Sequence, residues 1–147
     1  MGELAEYPDL VAAHGLVAGK HAALVERCIA VQQIAAPTGD EHRRAAWVAQ
    51  QLEQMGLADV TLDGLPNVYA RIPGRRPQPA LLVSAHTDTV FPLETDLTVR
   101  HDRQHRRLYG PGIGDNATGV AGLLWLAEML RQLPPLAVDV WLVANCG

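Results

Sequence analysis

Apolar residues recur at helical spacing in three stretches of the chain, and each stretch predicts an amphipathic helix. The first covers about residues 21–34 and is ended by Pro37, because the residue before a proline is pushed out of the α region. The second begins directly afterwards and ends near Gly56, a natural C-cap. The third covers about residues 116–132.

The second predicted helix begins with a specific end signal. Thr38 and Glu41 have the Thr-x-x-Glu spacing of a capping box, in which the threonine caps the helix and the glutamate reaches back. We therefore expect both side chains to serve the N-terminus of this helix.

Between the helices the apolar pattern changes to that of β-strands. Residues 59–62 and 68–72 predict two short strands around a turn. Residues 80–85 form a continuous apolar run, the pattern of a strand buried on both faces, and residues 136–144 predict a second strongly apolar strand. Helices that alternate with buried strands predict an α/β layered domain.

Composition and charge narrow the class of protein. The chain has 147 residues, of which 48% are apolar and 19% charged, so it suits one packed domain. Its formal charge of −4 argues against a nucleic-acid partner, which would need a basic face. The one basic cluster surrounds His101 and His105, where residues 97–101 and 107–109 predict a small hairpin. A solvated hairpin is the favoured interpretation of this cluster over a phosphate-binding patch.

The sequence also bears on location. No stretch reaches the ~20 apolar residues that a bilayer span needs. Residues 1–10 contain three acidic residues and no apolar core, so a secretory signal is not predicted. Cys28 and Cys146 are too few and too far apart for a disulfide framework. We therefore expect a reduced, cytoplasmic protein with no membrane partner.

The most informative polar segment, residues 84–90, lies at the end of the first buried strand. In α/β folds, ligands gather outside the carboxyl ends of the strands. His86 and Asp88 are two residues apart, so they face the same side of an extended chain. Such a pair can be a metal ligand with its orienting carboxylate, a general base with its orienter, or a chance pair on a loop.

A second segment, residues 110–119, places three glycines before Asp115 at the start of the third helix. Taken by itself, this segment is explained if Asp115 or Asn116 is the N-cap of the third helix. A cap needs no series of glycines, however, and glycines at this density indicate tight turns or a backbone that approaches something closely. A carboxylate held there can bridge two cations.

Individual residues exclude other glycine-rich and nucleophilic sites. A dinucleotide fingerprint starting at Gly110 would have Asp115 at its third glycine, where a carboxylate would repel a pyrophosphate. A P-loop starting at Gly114 would have Val120 in place of its lysine. Ser84 is the only serine, and it lacks the Gly-x-Ser-x-Gly context of a hydrolase nucleophile.

Together, and in this order, the two segments resemble the M20 family of zinc metallopeptidases and amidohydrolases. The family pattern has His-x-Asp at a strand end, then a glycine-rich turn that closes on Asp before a helix, as at residues 86–88 and 112–115. Residues 36–41 resemble its early Pro-x-Gly-x-Glu segment. Residues 65–68 resemble its Gly-Asn-Val segment, with Pro66 in place of the glycine.

The M20 resemblance implies a three-layer α/β/α zinc-exopeptidase-like catalytic domain with a mixed, mostly parallel sheet. Residues 1–147 would be its N-terminal portion. The resemblance further implies that His86 ligates one zinc ion, that Asp115 bridges two, and that Asp88 is the catalytic-site residue that holds the imidazole of His86. The two ions, zinc or alternatively cobalt or manganese, would activate a water that hydrolyses a small peptide or an N-acyl amino acid.

Two alternatives remain beside M20. Residues 115–119 also resemble the related M28 aminopeptidases, whose chemistry is nearly the same, although Phe91 and Pro92 favour M20. The second alternative is a non-catalytic α/β remnant or interaction module.

The M20 pattern next expects a Glu-Glu pair after the last strand, a further acid, a distal histidine and an inserted lid or dimerisation domain. Residues 1–147 do not supply these features. We therefore expect this chain alone to bind zinc weakly and to be inactive, and we expect a homodimer only in a full-length form.

Overall fold

The computed structural model describes residues 8–17 and 19–147. In that part of the chain the helices are α1 (Pro8–Val17), α2 (His21–Gln32), α3 (His42–Gln54) and α4 (Thr118–Leu130). The strands are β1 (Ala58–Leu62), β2 (Val68–Ile72), β3 (Leu81–His86), β4 (Arg100–Asp102), β5 (Arg107–Tyr109) and β6 (Val140–Asn145). The predicted helices and strands are therefore present with ends shifted by a few residues, and the α/β class is confirmed.

Four strands form one sheet in the order β1-β2-β6-β3. β1 pairs with β2, and β2 with β6, in antiparallel fashion, whereas β3 and β6 run parallel. The prediction of a mostly parallel sheet was therefore wrong for the described strands. The short turn between β1 and β2 can join only antiparallel strands, and the long connection through α4 is what allows β3 and β6 to run parallel.

β3 lies at one edge of this sheet, which changes the burial expected for it. Leu81 and Leu82 are 54% and 62% exposed, and Ala85 is the buried member of the strand. The continuous apolar run predicted burial on both faces, and this was wrong for the described chain. An edge strand has a neighbour on one side only, and the face that carries Leu82 is open within the described residues.

The hydrophobic core lies between the helices and one face of the sheet. Residues of β2 and β6 that share this face are Val68, Ala70, Ile72, Val140, Leu142 and Ala144. From the helices, Val31 of α2, Leu52 of α3 and Leu124 of α4 complete the core and are fully buried. The described chain thus contains two of the three predicted layers, helices and sheet.

The basic cluster forms the hairpin that its pattern predicted. β4 and β5 pair in antiparallel fashion, and the guanidinium of Arg100 lies 4.5 Å from the ring centroid of Tyr109. Most side chains of the hairpin are exposed, so it is a solvated surface element.

Three further expectations concern termini, membranes and thiols. Of the segment considered for a secretory signal, residues 1–7 lie outside the described residues. Among the helices that are described, none has the length and hydropathy needed to cross a bilayer. Cys28 and Cys146 are both free thiols.

Asp139 ties the start of β6 to the connection between β2 and β3. Its carboxylate accepts hydrogen bonds from the N–H of Gly74 at 2.7 Å and from the guanidinium of Arg71 at 2.9 Å. These two bonds, that from Gly74 above all, lower the pKa of Asp139 below its ordinary value.

Replacing this carboxylate tests its role in stability. A carboxylate whose pKa is lower in the folded state stabilises the fold at pH values above its unfolded-state pKa of about 3.9. This stabilisation is lost as the pH falls through the folded-state pKa. We expect Asp139→Asn to be less stable than the native chain at pH 7 and to lose less stability between about pH 5 and pH 3. Urea unfolding across this range measures both effects. Asp40→Asn, which changes an exposed carboxylate, is the control, and equal behaviour of the two variants would contradict the assignment.

Candidate metal centre

His86 and Asp88 meet at the carboxyl end of β3. Nδ1 of His86 lies 2.9 Å from Oδ1 of Asp88. Because a carboxylate only accepts hydrogen bonds, Nδ1 is the donor, and Nε2 is left on the far side of the ring. The imidazole is partly exposed, whereas the Asp88 side chain is 14% exposed. Asp88 therefore fixes which ring nitrogen of His86 faces outwards.

Thr38 supplies the second contact of Asp88. Its hydroxyl donates to Oδ2 of Asp88 at 2.7 Å, while Glu41 accepts from the N–H of Gly39 at 2.9 Å. Burial acts to raise the pKa of Asp88, but the bonds from Thr38 and His86 outweigh it and the pKa lies below its ordinary value. The predicted capping box was therefore wrong for both residues. The Thr38 hydroxyl binds a carboxylate 50 residues away rather than the helix that follows it. The Glu41 carboxylate binds Gly39, before the helix, and makes no side-chain cap of α3.

Asp115 approaches the same imidazole from the opposite side. Oδ1 of Asp115 lies 3.0 Å from Nε2 of His86, and the Asp115 side chain is 88% exposed. It stands in a π-helical turn, Ile113–Ala117, within which the dihedral angles of Asp115 and Asn116 are not helical. The structure thus brings together His86, Asp88 and Asp115, the three residues singled out in the sequence.

Asn116 locks this turn onto β3. Its Nδ2 donates to the carbonyl of His86 at 3.2 Å, and its Oδ1 accepts from the N–H of Gly119 at 3.1 Å. The amide therefore bridges the first turn of α4 and the backbone of the histidine itself. Of the two capping alternatives, Asn116 makes this bond to α4, which leaves Asp115 free to face His86.

The glycines around Asp115 differ in what they do. Gly112 has φ of +68°, and a Cβ there would lie 2.9 Å from Thr89. Gly114 has open space around it, whereas a Cβ on Gly119 would lie 2.1 Å from Oδ1 of Asn116. At Gly112 and Gly119, as expected, a neighbouring side chain lies so close to the backbone that a Cβ would collide with it. At Gly114 no such neighbour requires a glycine.

Main-chain contacts hold the end of β3 from both sides. Parallel pairing places His86 opposite Asn145, whose carbonyl accepts from the N–H of Thr87 at 2.7 Å and from its hydroxyl at 3.1 Å. On the other side, Thr89 donates from its N–H to the carbonyl of Ala36 at 2.8 Å. The His86–Asp88 segment is thus fixed between β6 and the segment that precedes α3.

Arg44 and Gln32 support the site from within the core. The Arg44 guanidinium donates to the carbonyls of Thr87 and Ile34, and Gln32 donates from Nε2 to the carbonyls of Leu97 at 3.1 Å and Pro111 at 3.0 Å. Burial lowers the pKa of Arg44 to about 10, although the charge of Asp88 acts to raise it. Sequence patterns did not single out either residue. Their one signal was a polar side chain on or beside the apolar face of a predicted helix.

The donor set fits a metal ion in part. Two atoms bound to one tetrahedral zinc ion at the usual bond lengths lie about 3.3 Å apart, close to the 3.0 Å between Nε2 of His86 and Oδ1 of Asp115. Both atoms line a cleft of about 280 Å³ beside Gly112 and Phe91. Within residues 8–17 and 19–147, however, no group of three or more His, Cys, Asp or Glu side chains is arranged to hold an ion. Among the described residues, His86 and Asp115 are therefore two candidate ligands, too few to complete a tetrahedral zinc site.

A pair of glycine substitutions on α4 tests the lock made by Asn116. Gly119→Ala would push Asn116 away and break its bonds to His86 and Gly119, so we expect a loss of about 1–3 kcal/mol in the free energy of unfolding. Gly122→Ala lies on the same helix in open space and should be neutral or stabilising by up to about 1 kcal/mol. Urea unfolding compares the two, and an equal effect of both substitutions would refute the lock.

Several solved structures with the same fold are described as peptidases. The chain resembles a tripeptidase from Staphylococcus aureus subsp. aureus Mu50, with a TM-score of 0.70 and 22% identity over 84% of this chain and 36% of that one. It also resembles a protein of Bacillus subtilis described as a dinuclear metal binding peptidase from the M20 family, with a TM-score of 0.63 and 14% identity over 86% of this chain and 35% of that one. At these identities the likeness concerns the fold, and the chain spans about a third of each relative.

Sequence comparison gives the family. An uncharacterised protein, YfbL, of Escherichia coli (strain K12) is 38% identical over 79 residues, which are 52% of this chain and 21% of that protein. The sequence model of peptidase family M28 matches residues 67–147, more than half of the chain, including His86, Asp88 and Asp115. The M20 resemblance thus holds for the fold, while the family matched is the related one that residues 115–119 also suggested. The chain belongs to peptidase family M28.

Proposed function

We propose that this chain carries part of the metal site of a hydrolase that cleaves peptide or N-acyl amide bonds. The observation that carries the proposal is the placement of the His86 imidazole between two carboxylates, with Asp88 2.9 Å from one ring nitrogen and Asp115 3.0 Å from the other. Membership of a peptidase family and the peptidase fold support the reaction class.

The arrangement around His86 favours a cation on chemical grounds. A neutral imidazole has one N–H and can donate to only one of the two carboxylates. Because Asp88 is the less exposed and is also held by Thr38, the N–H belongs on Nδ1. The lone pair of Nε2 then faces the carboxylate of Asp115, an unfavourable contact unless the two groups share a cation, which is either a metal ion or a second ring proton.

The roles of the residues follow from this placement. His86 and Asp115 would be ligands, with the exposed Asp115 able to reach a second ion, and Asp88 would be a positioning residue that holds His86 in register. A bound pair of zinc ions supplies an activated water and polarises the carbonyl of the scissile bond. Cobalt or manganese would suit the same ligand types.

The substrate class and the closer M20 relationship belong to the same proposal. The tripeptidase and the dinuclear metal binding peptidase support a small peptide as substrate, and the M20-like motifs of the sequence add N-acyl amino acids. Both family patterns contain the His-x-Asp pair and the following acid, so the proposed chemistry is nearly the same whichever family the full site resembles more.

Zinc titration by calorimetry tests the proposal on the chain itself. We expect weak binding that falls roughly tenfold or more in His86→Ala and Asp115→Ala, since each removes one of two ligands. His105→Ala is a matched control. His105 is exposed and its Nδ1 lies 2.8 Å from Oδ2 of Asp102, in the β4–β5 hairpin and outside the candidate site. Zinc affinity that is unaffected by His86→Ala and Asp115→Ala would refute the metal site and favour a non-catalytic module.

The same preparations test turnover. With two described ligands, the 147-residue chain should leave a panel of dipeptides and N-acyl amino acids unhydrolysed at saturating zinc. Zinc-dependent hydrolysis that His86→Ala abolishes would show that the site is more complete than proposed.

A further inference from the structure

Arg44 is a buried cation whose described partners are all main-chain carbonyls. It lies on α3 and is 2% exposed. Its Nη1 donates to the carbonyl of Thr87 at 2.6 Å, and Nε and Nη2 both donate to the carbonyl of Ile34. None of the salt bridges found within the described residues involves Arg44.

Such an arrangement is costly for packing alone. Removing a charge from water is unfavourable unless it is compensated, and apolar side chains of similar volume often fill the same space with equal or greater stability. Core formation therefore does not explain why α3 presents a guanidinium here. The positions of the two carbonyls that accept its hydrogen bonds explain it.

The two acceptors belong to the two segments that meet at the candidate metal centre. Thr87 stands between His86 and Asp88, so its carbonyl sets the course of the chain between the proposed ligand and its orienting carboxylate. Ile34 begins the segment that carries Thr38, the second partner of Asp88. A rigid fork bound to both carbonyls fixes the two segments relative to each other.

Resting on the proposed function, we propose that Arg44 is a positioning residue of the metal site. Its guanidinium clamps Thr87 to Ile34 and thereby holds Asp88 between Thr38 and His86, so that Nε2 of His86 faces Asp115. The clamp also places a positive charge near the carboxylate of Asp88.

The test uses two substitutions of Arg44 and one matched control. Arg44→Met removes the charge and the donors while keeping an unbranched apolar stem. Arg44→Lys keeps the charge but cannot form the fork to both carbonyls. Arg27→Met removes another arginine that links distant parts of the fold, through its bond of 2.8 Å to Glu128, but does not touch the site. Circular dichroism and urea unfolding establish which variants fold and how much stability each loses.

The first measurement needs no metal. The 15N signals of the imidazole of His86, assigned with His86→Ala, report whether the proton stays on Nδ1 beside Asp88. We expect the native chain and Arg27→Met to share one His86 spectrum, Arg44→Met to shift toward a mixture of tautomers, and Arg44→Lys to lie between them. The other histidines of the chain serve as internal references.

The second measurement is zinc affinity by calorimetry. A positioning role predicts that folded Arg44→Met binds zinc roughly tenfold to a hundredfold more weakly than the native chain. Arg27→Met should keep the native zinc affinity even where it loses a similar amount of stability. An unchanged His86 spectrum in folded Arg44→Met overturns the proposal, as does failure of both Arg44 variants to fold, because Arg44 would then serve the core. If native zinc binding proves independent of His86, the proposed function fails, and the His86 spectrum still decides the role of Arg44.

Discussion

The parallel pairing of β3 with β6 is the interaction on which the rest of the site depends. It runs from Leu81 opposite Val140 to His86 opposite Asn145, and it brings the end of β3 beside α4, the helix that precedes β6. A slip of one residue would turn His86 and Asp88 to the other face of the sheet. The carbonyl of Asn145 prevents such a slip, because it binds both the N–H and the hydroxyl of Thr87.

Three buried or half-buried polar side chains hold the main chain around this register. Arg44, Gln32 and Asn116 all donate to main-chain carbonyls that belong to the segments around the site. A carbonyl is present at every residue, so such bonds hold the course of the backbone whatever side chains it carries. This explains how loops of different sequence can be held in one geometry by a few buried donors.

Features that depend on residues close together in the sequence were predicted from local patterns. The three helices, the basic hairpin and the convergence of His86 and Asp88 all follow from spacing along the chain. The edge position of β3 could not be predicted, because Leu82 has the same local pattern whether or not another strand lies beside it. Thr38 was assigned to the wrong partner for a similar reason. Its capping spacing is local, whereas the competing carboxylate of Asp88 is 50 residues away along the chain. Whether neighbouring strands run parallel or antiparallel likewise depends on which strands pair, and the sequence of a single strand does not determine this.

The exposure of Asp115 has a kinetic consequence for the proposed metal site. A carboxylate that is 88% exposed, beside an imidazole that is 40% exposed, can meet an ion directly from solvent. No packed element of the described chain has to move before the first ligand bond forms, so capture would be limited by diffusion and by the loss of water from the ion. Differences in affinity would then reside in the rate of release. Residence time would be set by how rigidly His86 and Asp115 are held, and the buried hydrogen bonds behind them would act on the lifetime of the complex rather than on its formation.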